Sequence, residues 1–236
     1  MSVAIVRTLG VLVTLLLVPM IGPAPASAAP RDITITFVRH GESEGNASGF
    51  IDTTVPGPSL TPKGEQQAKA VAQTLSGAKH DGIYASTMIR TQQTAQPLAD
   101  ELHQPIVVLP GLREIEAGDF EGQAEQSAVD GYLEPLKQWL AGDRSARIPG
   151  SVDGNEFDAR FDEAVAAIYA SGEQQPVVYS HGAAISMWTM MNVRNPRPDL
   201  VAAQPLPNTG IVVVRGNPED GWTLLDWNGT KVDGSR

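Results

Sequence analysis

Residues Ile33 to Val38 alternate threonine with apolar side chains, and the run ends in Arg39-His40-Gly41. A short β-branched stretch of this kind predicts a strand. Pro176 to Ser180 predicts another, and it also ends in His-Gly, at His181-Gly182. Gly82–Ser86 and Ile106–Leu109 read as two more strands. Ile211–Val214 and Trp222–Leu225 read as a closing hairpin around Gly216–Gly221. Helical patterns fall between them. Thr61-Pro62 is a start signal, with Thr61 as N-cap, and Ala68, Val71, Ala72 and Leu75 follow on one face. Ser86 is placed to cap a helix from Met88 to Leu102. Ala124–Leu140 reads as a helical excursion. Glu156–Ala170 carries a Phe157, Phe161, Val165, Ile168 stripe that predicts core, and a last helix runs through Met191. Gly41–Ser59, Gly111–Gly122 and Arg144–Gly154 read as loops. Strands alternating with helices predict an α/β fold with a largely parallel sheet covered on both faces.

The N-terminus has a different pattern. Arg7 precedes an apolar stretch from Leu9 to Val18, then Pro19 and a small-residue region ending Ala26-Ser27-Ala28. This is the layout of a signal peptide, with cleavage expected after Ala28 or Ala29 and a secreted or extracytoplasmic destination. Prolines at 19, 23 and 25 make it a poor membrane span; a retained anchor is the second reading. Residues 1–29 are thus assigned to the leader. Residues 30–236 are assigned to one catalytic domain, with 124–154 an insertion over the substrate pocket.

Composition narrows the chemistry. The chain has no cysteine, which excludes disulfides and thiolate zinc sites. Seventeen basic against 27 acidic residues give a net charge of −10, one unit more negative without Arg7. Such a surface does not suit nucleic acid, and it repels anions at long range. A phosphate site must therefore bring its own arginines.

Reactive groups in an open α/β sheet collect at the carboxyl ends of parallel strands. Arg39 and His40 end the first predicted strand, and Arg90 lies in the first turn after the second. Glu114 lies in the loop after the third strand, and His181 ends the fourth. Phosphoryl transfer needs positive charge around the equatorial oxygens, an in-line nucleophile and a proton for the leaving oxygen. Arginine forks suit the first task. A neutral His40 held in one tautomer suits the second, and it could equally serve as a general base. His181, if protonated, adds a third cation, and Glu114 supplies the proton, with Glu116, Asp119 and Glu121 as rivals. Spacing alone leaves Arg90 equally readable as an exposed helix arginine. His80 and His103 lie in polar, loop-like context and read as ordinary residues. Two other motifs compete. Gly41-Glu42-Ser43-Glu44-Gly45 fits the G-x-S-x-G nucleophile elbow, yet a loop rather than a helix is expected after it. Leu206-Pro207-Asn208-Thr209-Gly210 fits LPxTG, but a strand follows it rather than an apolar tail.

Arg39-His40-Gly41-Glu42-Ser43 with Asn46 resembles the R-H-G-x-[TS]-x-x-N signature of the histidine phosphatase superfamily, the phosphoglycerate-mutase-like proteins. The resemblance continues through Leu60–Ala68, Ser86–Ala95, Leu112–Ile115, Gly118–Gly122, Ser180-His181-Gly182 and Asn208-Thr209-Gly210. It implies a three-layer α/β/α sandwich with a mixed, mostly parallel six-stranded sheet. It makes His40 the phosphorylated nucleophile, with Arg39, Arg90 and His181 completing the phosphate pocket. Glu114 becomes the acid/base and Asn46 a pocket contributor. It implies neither metal nor organic cofactor, and a phosphorylated substrate as partner. One departure is Phe120, where the family often has Trp. The expected activity is that of an exported phosphomonoesterase. A phosphoglycerate-type mutase and a non-catalytic phosphate-ligand binder are the alternatives.

Overall fold

The computed structural model describes residues 30–233, so the leader expected over 1–29 lies outside the described residues. Seven strands form one sheet: β1 Ile33–Arg39, β2 Ile83–Ala85, β3 Ile106–Val108, β4 Val177–Ser180, β5 Ile211–Asn217, β6 Gly221–Trp227 and β7 Thr230–Lys231. Their order is β3-β2-β4-β1-β5-β6-β7. The first four are mutually parallel, and β5, β6 and β7 add on antiparallel to their neighbours. The sheet thus has seven strands rather than six. The extra one, β7, is a two-residue return that pairs with Asp226 and Trp227, too short for any periodicity to announce.

Period-two alternation sorts the strand side chains onto two faces. Val38, Ile83, Ala85, Val177 and Tyr179 pack with α2 (Pro62–Ser76) and α3 (Ile89–Leu102) through Val71, Ala72, Leu75, Ala95, Leu98 and Ala99. Ile33, Ile35, Phe37, Tyr84 and Val178 face the larger cluster. There α5 (Gly154–Ala170) and α6 (Gly182–Asn192) contribute Phe157, Phe161, Ile168 and Trp188. The Phe157 stripe is core, as its spacing predicts. Thr61 caps α2 by accepting from the Gly64 amide at 3.0 Å, and Asp153 caps α5 in a reciprocal box with Glu156.

Two elements depart from the sequence reading. Part of the expected 41–59 loop is a short helix, α1 (Glu44–Ser48), and α7 (Pro198–Ala203) precedes β5. The excursion α4 (Glu125–Leu140) lies over the carboxyl end of the sheet, with Glu125, Tyr132 and Leu133 lining a cavity there. Among the described residues, no helix is long and apolar enough to cross a membrane.

Candidate active site

Strand register brings the two histidines together. β1 and β4 are parallel with Arg39 opposite Ser180, so the next residue of each strand is a histidine at the same level. The His40 amide donates to the Ser180 carbonyl at 3.0 Å, and the ring centroids are 5.1 Å apart, edge to face. β2 lies on the other side of β4, which sets Ser86 beside His181. α3 begins three residues later and carries Arg90 inward.

Hydrogen-bond partners fix the state of each ring. His40 Nδ1 lies 2.6 Å from the Gly41 carbonyl oxygen, and Arg90 Nε lies 3.1 Å from Nε2. A carbonyl can only accept and a guanidinium can only donate. Nδ1 therefore carries the proton and Nε2 the lone pair. Burial, then the fields of Arg90 and Arg39, hold the His40 pKa well below the ordinary histidine value. The ring is neutral and held in one orientation.

His181 is held by a hydroxyl chain. Thr91 Oγ1 is 2.7 Å from the Met88 carbonyl, so it donates there. Ser86 Oγ, 2.9 Å from Thr91 Oγ1, must then donate to Thr91. The 2.9 Å contact between Ser86 Oγ and His181 Nε2 leaves Nε2 as the donor. Nδ1 has no partner and carries the lone pair of the neutral ring. Burial first, then Arg90, His40 and Arg39, push the His181 pKa well below the ordinary value. Without an anion the ring is therefore neutral, and the third cation expected of a protonated His181 needs a proton that burial and the arginines disfavour.

The arginines are positioned by main chain. Arg39 Nη1 donates to the Leu206 carbonyl at 2.7 Å. Its guanidinium lies against Gly182, where a Cβ would sit 3.2 Å from Nε. Arg90 Nη2 donates to the Asp52 carbonyl at 3.3 Å. Arg39 Nε and Arg90 Nη1 are buried without protein partners. Two charged forks with unused donors beside a neutral imidazole make an anion site.

Glu114 sits at the N-terminus of α6. Its Oε1 accepts from the Ala184 and Ile115 amides at 2.8 and 2.9 Å, and Oε2 from Ala183 at 3.3 Å. The rivals are engaged elsewhere. Glu116 pairs with Arg113 and Arg160, Glu121 accepts from the Thr53 amide and hydroxyl, and Asp119 is exposed. Asn46 lines the cavity and works as a clamp: its Oδ1 accepts from the Ser43 amide and from Asn208 Nδ2, which also donates to the His40 carbonyl. The LPxTG-like segment is thus the brace behind His40. Ser43 does open a helix, contrary to expectation, but as the N-cap of α1 its hydroxyl bonds Asn46, while both histidines find other partners. The serine-elbow reading fails on that geometry. His80 and His103 lie far along other loops, His80 on the Gln175 carbonyl and His103 as the α3 C-cap.

Arg39, His40, Asn46, Arg90 and Glu114 all line one cavity of about 400 Å³. Among the described residues, no three His, Asp or Glu side chains are grouped to hold a metal ion. The profile of the histidine phosphatase superfamily, branch 1, matches residues 35–230. The chain belongs to the histidine phosphatase superfamily.

Its relatives within and around that superfamily differ in length and name. A PE-PGRS family protein of Mycobacterium tuberculosis, PE_PGRS11, is 46% identical over 218 residues, 86% of this chain but 37% of the relative. The chain therefore spans little more than a third of that protein. A protein of Enterobacter sp. named "Probable phosphoglycerate mutase GpmB" is 34% identical over 154 residues, 65% of this chain and 71% of its own. Among solved structures, a phosphoserine phosphatase of Entamoeba histolytica in complex with 3-phosphoglyceric acid matches with a TM-score of 0.67 and 26% identity. That match covers 84% of this chain and 98% of the other. A mycobacterial glucosyl-3-phosphoglycerate phosphatase shares the fold at TM-score 0.69 and 22% identity, over 85% and 100% of the two chains.

Three residues that serve this histidine-phosphatase site carry no role in the sequence reading. Ser86 was expected to cap a helix, yet Met88 is the N-cap and Ser86 serves His181. Arg160, on α5, donates to the carbonyls of Gly111, Arg113 and Glu114 and so holds the loop that presents Glu114. Asn208 was visible only as part of a motif.

Proposed function

We propose that this chain is an exported phosphomonoesterase that works through a phosphohistidine on His40. The observation that carries the reading is the tautomer of His40: Nδ1–H on the Gly41 carbonyl, and on Nε2 a lone pair that accepts from Arg90 Nε and points to the anion site. Nε2 attacks phosphorus, the ester P–O bond breaks, and Glu114 gives its proton to the leaving oxygen. Water then attacks phosphorus, Glu114 takes back a proton, the P–N bond breaks, and inorganic phosphate leaves. Arg39 and Arg90 hold the equatorial oxygens in both steps.

The cavity supports a phosphatase over a phosphoglycerate mutase. A mutase must re-bind a carboxylate-bearing intermediate, which calls for cations beyond those on the phosphoryl group. Among the described residues, Arg39 and Arg90 are the only lysine or arginine side chains lining the cavity, and its other charges are Glu114, Glu125 and Asp52. The α4 excursion forms much of the far wall, so specificity is placed there. Export rests on the leader pattern of residues 1–29, and N-terminal sequencing of the mature protein tests it.

The test of function is hydrolysis of an aryl phosphate by wild type and His40→Ala, without added metal, with alkaline quench to preserve phosphohistidine. Turnover and label on histidine in wild type alone are expected. Equal rates in both proteins would refute the mechanism. No turnover in wild type, with phosphate binding retained, would favour the binding-protein reading.

A further inference from the structure

The cavity lining beyond His40 and the two arginines has its own chemistry. Its walls are Phe50, Ile51 and Leu133, the Tyr132 ring, and the carboxylates of Asp52 and Glu125. Neither carboxylate enters an ion pair among the described residues, and Asp52 has only the Thr54 hydroxyl as a side-chain donor. Glu125 lies near enough for its field to act on Arg39, and Asp52 on Arg90. Phe50 is 51% exposed, unusual for an aromatic residue on a short ordered segment. That segment is fixed: the Ile51 amide donates to the Gln123 carbonyl, the Gly122 amide to the Ile51 carbonyl, and the Glu125 amide to the Gly49 carbonyl. Arg90 borders the same space, 3% exposed and with Nη1 unpartnered. The cavity therefore carries both signs of charge. Arg39 and Arg90 are placed for the phosphoryl group. The rest of the lining presents two carboxylates outside any ion pair, beside aromatic and aliphatic surface, and among the described residues it adds no lysine or further arginine.

We propose that the leaving group of the substrate carries a positive charge on an apolar body: the substrate class is phosphorylated amino alcohols, with the ammonium between Glu125, Asp52 and the Phe50 ring. The proposal rests on the phosphomonoesterase reading above. An ammonium gains from both carboxylates and from an aromatic face, and its carbon substituents cover Ile51 and Leu133. A second anionic group would meet two like charges in a partly enclosed space. The bland alternative is that Glu125 and Asp52 merely balance the two arginines. It predicts no preference for charge in the leaving group.

An isosteric pair separates these. Phosphocholine and 3,3-dimethylbutyl phosphate differ in one atom, nitrogen for carbon, and so in one charge at constant shape. Wild type is expected to prefer phosphocholine in kcat/KM by about tenfold or more, given two carboxylates and a ring. The preference should fall to about twofold in Glu125→Gln with Asp52→Asn. A ratio near one in wild type, or better turnover of 3-phosphoglycerate than of phosphocholine, overturns the proposal. So does a wild-type preference that the double variant leaves intact. An aryl phosphate serves as reference. If His40-dependent hydrolysis of it is seen while the pair is not discriminated, this inference fails and the phosphatase reading stands. If no ester turns over, the phosphatase reading fails, and thermal stabilisation by the same pair still decides the charge preference.

Discussion

Binding of a phosphate-like dianion should draw one proton onto His181. The free ring is neutral, with Nε2–H on Ser86 and a bare Nδ1. A dianion seated at His40 Nε2 lies at about the ring-to-ring distance of 5.1 Å. At an effective dielectric of about 20, each negative charge there favours imidazolium by about 3 kcal/mol, and two by about 6. That is a roughly ten-thousand-fold change in the protonation equilibrium, opposite in sign to the depression caused by burial and the two arginines. The His181 pKa is thus higher in the complex than in the free protein. Binding takes up a proton, and affinity falls about tenfold per pH unit as pH rises between the two values. Tungstate is the suitable probe, because it stays a dianion near neutral pH. Calorimetry in buffers of different ionisation enthalpy should give an uptake of about one proton. The uptake should persist in His40→Ala and vanish in His181→Gln. Thr91→Val should also abolish it, because Ser86 is then free to donate to Nε2, leaving a proton on Nδ1 of the neutral ring. Heat that is independent of buffer, with affinity flat from about pH 6 to about pH 8, would refute the tautomer assignment.

Three further outcomes follow from the geometry. Glu114→Gln should slow hydrolysis of alkyl phosphates by about a hundredfold or more, and an aryl phosphate should show a burst as phosphohistidine accumulates; steady turnover without a burst would remove Glu114 from the second step. Gly64→Ala puts a Cβ 2.0 Å from the Glu42 carbonyl oxygen, which also accepts from the Thr61 amide. Clash and lost bond together cost about 3 kcal/mol, so calorimetric Tm should fall by roughly 10 °C, and an unchanged Tm would contradict the packing. Arg90→Met removes a charge that burial disfavours; turnover should be lost while Tm holds or rises, and a large Tm loss would show the arginine to be structural.

The residues that the sequence disclosed are those set by regular structure. His40 and His181 stand out because β1 and β4 are buried runs that both end in His-Gly, and parallel register makes neighbours of like ends. Glu114 could not be told from Glu116 or Glu121 by spacing. What separates them is tertiary: Arg160 and Thr53 engage the rivals, and the α6 amides orient Glu114. α1 escaped notice because Gly, Ser and Asn dominate it, and it is held by Ser43 and Asn46 bonding each other, an unusual box without Glu or Gln. Ser86 was placed correctly near a helix start but given the wrong partner, since only the sheet order β2-β4 brings His181 to it. The cavity walls come from Phe50–Thr53 and α4, segments distant in sequence whose pairing no local pattern encodes.

The N-terminus of α6 is taken by the Glu114 carboxylate, so its amides, a ready anion cradle in other folds, are left no part in the proposed phosphate site. The grip proposed here is made of side chains. A main-chain cradle survives most point mutations, because every residue supplies the same amide. Two buried guanidiniums do not, and their loss relieves the interior of charges it tolerates poorly. On the proposed mechanism, a single substitution at Arg39 or Arg90 therefore ends the reaction while leaving the fold intact. Descendants of this scaffold lie one mutational step from an inert protein that keeps the shape of an enzyme and is free to acquire another role.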